Sequence, residues 1–219
     1  MDRDRRDPYD QARMKKGLFI TFEGIDGCGK STQISLLKEK FSSENKEFIE
    51  VREPGGTRVG EKIRNILLDR KNDSMTRMAE LLLFEAARAQ ITEEVIIPAI
   101  GNGVNVICDR FYDSTTAYQG YANKMGRDLT DFLNLKATSE TSPDITFLLD
   151  IDPQLAWKRR LGRGEEDRIE MLGLSYQEEV RTGYLELAKS EERIVIIDAS
   201  RDPEVIHEEI VKHIWDLTG

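Results

Sequence analysis

The sequence predicts an α/β protein with a parallel sheet, and three observations support this fold class. Five short apolar segments alternate with stretches of helical periodicity. Such alternation is typical of parallel strands joined by helices that cover both faces of the sheet. The first segment leads into a glycine-rich loop, and the third and fourth end on aspartates, so polar groups gather at one edge of the sheet. We therefore predict a five-stranded parallel sheet flanked by helices on both faces.

The predicted strands are runs of four or five mostly apolar residues. They cover residues 18–22, 48–51, 104–108, 145–149 and 194–198. Apolar side chains at helical spacing predict one long helix over residues 75–100. Further helices are predicted from Ser31, over residues 59–68, after Arg110, around residues 129–135, through Trp157, over residues 176–188 and from Pro203. We find no internal repeat and no linker between domains.

The loop after the first strand carries the chemistry. It contains the pattern G-x-x-x-x-G-K-[ST] from Gly24 to Ser31. Glycines let consecutive N–H groups point at phosphate oxygens, and the following helix adds the positive end of its dipole. Lys30 would reach the β- and γ-phosphates of a nucleotide, and the Ser31 hydroxyl would bind Mg²⁺. The predicted phosphate-binding residues are Gly24, Ile25, Asp26, Gly27, Cys28, Gly29, Lys30, Ser31 and Thr32.

Three further features point to the same edge of the sheet. Asp109 ends the third strand, where a second carboxylate that organises Mg²⁺ belongs, although strands often end in aspartate. The turn-rich residues 52–57 follow the second strand and include two glycines, and a plain loop is the alternative interpretation. Arg88 lies four residues after Phe84 on a mostly apolar helix face and therefore needs a partner. An ion pair with Glu85 or a neighbour is the simplest partner.

The run from Arg159 to Glu170 is rich in arginine and nearly free of apolar residues. As a lid over about residues 159–172, it would place arginines above bound phosphates and exclude water. On composition alone we favour a solvated charged face. Residues 1–15 alternate acidic and basic residues without an apolar period, and we expect a disordered extension or a leader.

Composition restricts the class of partner. The chain has 32 Lys and Arg against 41 Asp and Glu, a formal net charge of −9, which argues against binding a nucleic-acid polymer. A few clustered arginines can still form a positive pocket for a small anion. No run approaches the roughly 18 apolar residues that span a bilayer, so we expect no membrane partner. Cys28 and Cys108 lie in a loop and a strand, and we expect free thiols and a cytoplasmic protein.

Five segments in order resemble bacterial thymidylate kinases. They are residues 24–32, 52–57, 84–90, 109–120 and 163–170. The resemblance extends from about residue 16 to the C-terminus and implies a single domain of the P-loop kinase fold over residues 16–219, with the arginine-rich run as a short lid. It also implies transfer of the γ-phosphoryl group of ATP to dTMP with Mg²⁺, and a homodimer packed through helices that include the one with Phe84.

The resemblance also implies roles for individual residues. Lys30, Arg110 and Arg163 would be catalytic. Gly27 stands where some members carry an arginine, which the lid would supply here as Arg163. The implied dTMP-binding residues are Asp26, Glu53, Pro54, Phe84, Arg88, Arg110, Ser114, Thr115, Tyr118 and Gln119. Among them, Asp26 would hold the 3′-hydroxyl, Phe84 would stack on thymine and Arg88 would donate to its O4. Arg110 would bind the phosphate of dTMP, and Tyr118 would crowd the 2′ position. Thr115 stands where some members have asparagine.

Two other functions stay open on the residues alone. The chain could phosphorylate a different nucleoside monophosphate or a deoxynucleoside. A P-loop GTPase switch is an alternative from another class, but the chain lacks an Asn-Lys-x-Asp segment for reading guanine. A purely structural relative is disfavoured because Lys30, Ser31, Asp109 and Arg163 are all intact.

Overall fold

The computed structural model describes residues 16–161 and 167–218 of the 219-residue chain. Its sheet confirms the predicted class, because every strand pairing in it is parallel. The strands are β1 Phe19–Glu23, β2 Phe48–Arg52, β3 Asn105–Asp109, β4 Ile145–Asp150 and β5 Ile194–Asp198. They stand in the order β2-β3-β1-β4-β5. The predictions for residues 1–15 and for Arg163 lie outside the described residues.

The α-helices follow the strands in the expected alternation. They are α1 Lys30–Ser43, α2 Arg58–Leu68, α3 Arg77–Ile91, α4 Ile97–Gly101, α5 Tyr112–Thr115, α6 Arg127–Ala137, α7 Pro153–Arg160, α8 Gly173–Ser190 and α9 Pro203–Thr218. Among the described helices, none combines the length and apolar character needed to cross a bilayer.

The core lies on both faces of the sheet. Successive side chains of a strand point to opposite faces, so neighbouring residues of β1 join different clusters. Phe19 packs with Ile91, at the end of α3, and with Ile100 of α4. Ile20 belongs to the opposite cluster, which includes Leu37 of α1 and Ile210 of α9. Helices therefore cover both faces, as predicted.

The predicted continuous helix over residues 75–100 is wrong in one respect. The α-helical turns of α3 give way to a wider π-helical segment, Thr92–Ile96, before α4 begins. The N–H of Ile97 donates to the carbonyl of Thr92, five residues earlier. Pro98 follows directly, and a proline ring clashes with the carbonyl four residues before it in a regular α-helix. The wider turn relieves that clash. A second π-helical segment, Thr116–Ala122, follows α5.

The topology brings the ends of three neighbouring strands together. β1 lies between β3 and β4, and the segment after β2 is joined to β3 by a bond from the N–H of Glu53 to the carbonyl of Asp109, 3.0 Å long. The N–H of Arg110 donates to the carbonyl of Phe22 at 3.0 Å. In open parallel sheets, ligands bind outside the carboxyl ends of the strands. This edge is where the predicted site residues meet.

Candidate nucleotide site

A cleft of about 690 Å³ opens at the carboxyl edge of the sheet. Most of the predicted site residues line it: Asp26, Gly27, Gly29, Lys30, Ser31, Thr32, Glu53, Pro54, Phe84, Asp109, Arg110, Ser114, Thr115, Tyr118 and Gln119. Gly24, Ile25, Cys28 and Arg88 do not line it. The volume is in the range of pockets that bind small molecules.

The backbone of the loop after β1 requires its glycines. Gly24, Gly27 and Gly29 have φ angles of +133°, +88° and +106°. A Cβ on Gly24 would lie 2.6 Å from the carbonyl oxygen of Leu149, and one on Gly27 would lie 2.4 Å from that of Ala156. Other residues would therefore be strained in conformation, and at two of these positions they would also clash.

The loop ends at the N-terminus of α1, where Gly29 caps the helix without a side-chain hydrogen bond. The helix therefore presents backbone N–H groups and its positive dipole end to the cleft, an arrangement that binds phosphate. Lys30 is buried, and its Nζ donates to the carbonyls of Gly24 at 3.1 Å and Ile25 at 3.4 Å. The ammonium group thus lies within the curve of the loop. Cys28 is buried with a free thiol, as is Cys108.

Arg110 crosses the cleft from the end of β3 to the loop. Its φ angle is +69°, a left-handed conformation that is uncommon for residues other than glycine. Its Nη2 donates to Asp26 Oδ1 at 2.6 Å, and its Nη1 donates to the carbonyl of Gly24 at 2.9 Å. Burial acts to raise the pKa of Asp26, but Arg110 and Lys30 outweigh it and hold the pKa below its ordinary value. Asp26 is therefore ionised at neutral pH.

The other half of the cleft has aromatic and uncharged polar walls. Phe84 is half-buried and reaches it from α3. Thr115 and Gln119 are buried and reach it from α5 and from the π-helical segment after it. Tyr118 is 6% exposed, and its hydroxyl has no partner among the described residues. These groups suit a flat heterocycle that carries a few hydrogen-bonding atoms.

Arg88 lies behind this wall at 1% exposure. Its guanidinium donates to Glu53 Oε2 at 2.8 Å, to Glu85 Oε1 at 2.6 Å and to Thr115 Oγ1 at 2.9 Å. The ion pair with Glu85, the simplest partner that the sequence offered, is confirmed. Glu53 and Thr115 both line the cleft, so Arg88 orders two walls of the site from behind.

Glu53 is the most unusual acid of the cleft. Burial raises its pKa to about 7, a rise that Arg88 opposes and Glu85 strengthens. Its Oε1 is buried without a partner among the described residues. A carboxyl group whose pKa is near 7 can accept or donate a hydrogen bond at the cleft wall, depending on pH.

The described flanks of the arginine-rich run are not the solvated charged face that composition favours. The side chain of Arg160 is 10% exposed, packs 5.3 Å from the ring of Trp157, and lines the cleft. The side chain of Arg168 is 14% exposed and pairs with the buried Glu80 at 2.6 Å. Composition misjudged these arginines because it does not show their partners: Arg168 pairs with Glu80 of α3, and Arg160 packs on Trp157 of its own helix, α7.

Several cleft residues lie outside the predicted list of site residues, although six of them fall in the turn-rich residues 52–57 or in the possible lid over residues 159–172. They are Arg52, Arg64, Leu68, Trp157, Arg160, Leu161, Asp167, Ile169 and Glu170. A signal existed for Arg64, because α2 begins directly after the glycine turn at the edge of the sheet. Arg64 lies on that helix and donates to the carbonyl of Pro54 at 2.9 Å.

The predicted metal ligands also face the cleft. Asp109 and Ser31 both line it, and Asp109 Oδ1 is buried without a partner among the described residues. Among residues 16–161 and 167–218, no group of three or more His, Cys, Asp or Glu side chains is placed to hold a metal ion. A carboxylate and a hydroxyl fit an ion that keeps most of its ligands from phosphate and water, as Mg²⁺ does.

The phosphate loop, the Asp26–Arg110 ion pair and the aromatic wall together define a nucleotide-binding protein of the P-loop kinase type. Comparison with known proteins narrows the class. The family model described as thymidylate kinase matches residues 22–210. The chain belongs to the thymidylate kinase family.

Individual relatives agree with this assignment. A thymidylate kinase of Thermosipho melanesiensis is 49% identical over 197 residues, which cover 90% of this chain and 97% of the relative. One from Caldanaerobacter subterraneus subsp. tengcongensis is 46% identical over 200 residues, covering 91% and 95%. One from Prosthecochloris aestuarii is 44% identical over 212 residues, covering 92% and 95%.

Proposed function

We propose that this protein transfers the γ-phosphoryl group of ATP to the phosphate of dTMP, giving ADP and dTDP. The observation that carries the proposal is the Asp26–Arg110 pair, which joins the phosphate loop to the side of the cleft that holds Tyr118. A donor on one side and an acceptor on the other would both reach this pair. Family membership supports dTMP as the acceptor.

In this proposal the loop contributes to both substrates. Lys30 and the N-terminal N–H groups of α1 would bind the β- and γ-phosphates of ATP. Asp26, from the same loop, would accept a hydrogen bond from the 3′-hydroxyl of dTMP, for which an ionised carboxylate is suited. Arg110, once bonded to the phosphate of dTMP, would hold the attacking oxygen in line with the γ-phosphorus.

The chemistry needs no strong general base. The nucleophile is a phosphate oxygen that is already charged at neutral pH. It forms a bond to the γ-phosphorus while the bond from that phosphorus to the β–γ bridging oxygen breaks, and the electron pair leaves with ADP. Lys30 and Arg110 stabilise the charge on the transferred group, and Arg163 is proposed to join them.

Ser31 and Asp109 are proposed to hold Mg²⁺, directly or through water. When bound, the ion would neutralise charge on the β- and γ-phosphates. The two side chains would supply a hydroxyl and a carboxylate oxygen, the oxygen donors that Mg²⁺ prefers.

The acceptor base is proposed to stack on Phe84, with Thr115 and Gln119 at its polar edge. Tyr118 would crowd the 2′ position and disfavour ribonucleotides. The predicted bond from Arg88 to O4 of thymine stays a prediction, since Arg88 is bonded to Glu53, Glu85 and Thr115 and does not line the cleft.

An acceptor panel tests the function. ADP release from ATP and Mg²⁺ is measured with dTMP, dUMP, dCMP, GMP or thymidine. We expect dTMP to give the highest kcat/KM. A higher value with another acceptor would assign a different kinase. Slow hydrolysis that no acceptor changes would indicate a nucleotide-regulated switch instead.

The protein is also proposed to be a homodimer. Large apolar side chains are exposed on three helices: Val59 and Ile66 on α2, Met78 and Leu82 on α3, and Phe132 and Leu135 on α6. Helix α3 packs against both α2 and α6, so these residues share one side of the molecule. We expect Leu82→Lys to shift the protein to monomer in sedimentation velocity. The matched change at Leu217, which is 51% exposed on α9, should leave a dimer.

A cytoplasmic location is proposed as well. Two buried free thiols suit a reducing compartment. The acidic charge fits small-molecule substrates better than a nucleic-acid polymer.

A further inference from the structure

Glu23 is the last residue of β1 and directly precedes the phosphate loop. Its side chain is completely buried. An acidic side chain is rarely this buried unless its oxygens are satisfied. It belongs to none of the predicted site residues, and it does not line the cleft.

Both oxygens of Glu23 have close partners. Oε1 accepts from the N–H of Phe111 at 2.7 Å. Oε2 lies 2.6 Å from Ser114 Oγ and 2.7 Å from the hydroxyl of Tyr184. Those two hydroxyl groups lie 2.8 Å from each other, so the three oxygens form a closed triangle of hydrogen-bond distances.

The triangle is joined to Arg110. Arg110 Nη1 donates to Tyr184 at 3.1 Å and to Ser114 at 3.2 Å. The N–H that Glu23 binds belongs to Phe111, directly after the left-handed backbone of Arg110. A residue in such a conformation persists only where its surroundings over-determine it. Glu23 therefore acts on both the backbone that carries Arg110 and the hydroxyl partners that aim its guanidinium.

The number of protons in the triangle indicates the state of Glu23. Three short O···O distances need three protons if each is a hydrogen bond. Ser114 and Tyr184 bring one proton each, and the donations from Arg110 occupy only lone pairs. A proton on the Glu23 carboxyl group supplies the third.

The charges around Glu23 agree with a neutral carboxyl group. Burial raises its pKa, Asp113 on α5 raises it further, and Arg110 opposes both. Tyr184 on α8 faces it through a hydroxyl group. A negative charge on Glu23 would raise the pKa values of two more groups, Cys108 on β3 and Glu53 after β2.

Resting on the proposed function, we propose that Glu23 is a positioning residue for Arg110 and that it acts as a neutral carboxylic acid. In that state Glu23 fixes the direction of the Arg110 guanidinium without neutralising its charge. Among the described carboxylates, Asp26 is then the one that pairs with Arg110. The positive charge stays available to the phosphate of the acceptor.

The test compares two changes at Glu23. Glu23→Gln keeps the shape and is always neutral: its carbonyl accepts from Phe111, and its amide donates to the two hydroxyl groups. We expect kcat/KM for dTMP within about threefold of wild type. Glu23→Ala removes the triangle and should lower kcat/KM for dTMP about 30-fold or more, with KM for ATP within about threefold.

Tyr184→Phe provides a milder change at a second corner of the triangle. It should lower kcat/KM for dTMP about 10-fold by removing one hydroxyl group. Tyr112→Phe is the matched control, because it also removes one hydroxyl group but from a bond to Ser142 outside the cleft, and it should leave the kinetics unchanged.

The pH profile gives a readout that a merely structural role would not change. In wild type, kcat/KM for dTMP should fall as rising pH ionises Glu23, because the third proton is lost. Glu23→Gln should lack that alkaline fall. Melting temperatures of all variants are recorded, and if Glu23→Ala does not fold, Glu23→Gln and Tyr184→Phe decide.

Each contrary outcome overturns the proposal. Kinetics of Glu23→Gln as poor as those of Glu23→Ala would show that a carboxylate is required. A lower melting temperature for Glu23→Ala and Tyr184→Phe with wild-type kinetics would show a structural role alone. Wild type is run with dTMP in the same assay, so an inactive wild type refutes the proposed function and not the role of Glu23.

Discussion

Replacing Arg88 by methionine should lower the free energy of unfolding by about 3–5 kcal/mol at pH 7, the usual cost of breaking a buried ion pair from one side. Methionine fills much of the same space, so the loss is electrostatic and not a cavity effect. The side chains of Glu53 and Glu85 are 3% and 7% exposed, and both would lose the cation that compensates them.

The loss of unfolding free energy caused by Arg88→Met should grow as pH rises from 5 to 8. Without Arg88, Glu53 loses the charge that opposes the rise in its pKa, so its carboxyl group resists ionisation more strongly in the folded protein. At low pH this carboxyl group is neutralised by a proton, whereas its ionisation at higher pH leaves an uncompensated buried charge. Urea unfolding followed by circular dichroism at several pH values measures this trend.

A matched arginine on the surface provides the control. Arg127 also pairs with two carboxylates, Asp131 and Glu191, but its side chain is 34% exposed. Arg127→Met should therefore cost less than about 1 kcal/mol. Equal losses for the two variants, or a loss at Arg88 that does not depend on pH, would refute the buried-charge reasoning.

Three further predictions concern the site. Arg163→Ala should lower kcat about 100-fold or more with KM for dTMP nearly unchanged; a higher KM with kcat preserved would contradict a role in the transition state. Phe84→Ala should raise KM for dTMP about 10- to 100-fold by loss of stacking and leave KM for ATP unchanged, whereas Phe132→Ala should change neither. Glu53→Gln should flatten the pH dependence of stability. The pKa of Glu53 is about 7 in the folded protein against an ordinary 4.5. Wild type therefore has a stabilising contribution of about 3 kcal/mol below pH 4.5, which it loses as pH rises through 7. Urea unfolding of both proteins at pH 4.5 and at pH 8 measures this difference.

Most of the fold could be predicted because each strand is a short apolar run bounded by polar or glycine residues. The five strands begin within one residue of their predicted positions. The break in the helix over residues 75–100 was missed because its cause is local, at Pro98, whereas the apolar spacing on both sides continues. The predicted lid could not be judged from composition, because what buries Arg168 is Glu80, 88 positions earlier.

The residues of the site also differ in how far the sequence reveals them. Residues that act through backbone geometry, such as Gly24 and Gly29, are visible as a motif. Residues that act through long-range partners are not, and Arg88 shows why: Glu53 lies 35 positions away and Asn134 lies 46 positions away. Glu23 has no motif signal of its own, since its partner Tyr184 lies 161 positions later in the chain.

The central place of β1 in the sheet also bears on synthesis. The first strand to be made gains its second neighbour only when the fourth strand follows. Residues of β1 pair on one side with residues 87 positions later and on the other side with residues 125 positions later. During translation the apolar β1 therefore emerges long before β4, and parallel pairing over such separations is slow. The cleft around the phosphate loop is thus completed only after about three-quarters of the chain has been synthesised, because Glu170 also lines it.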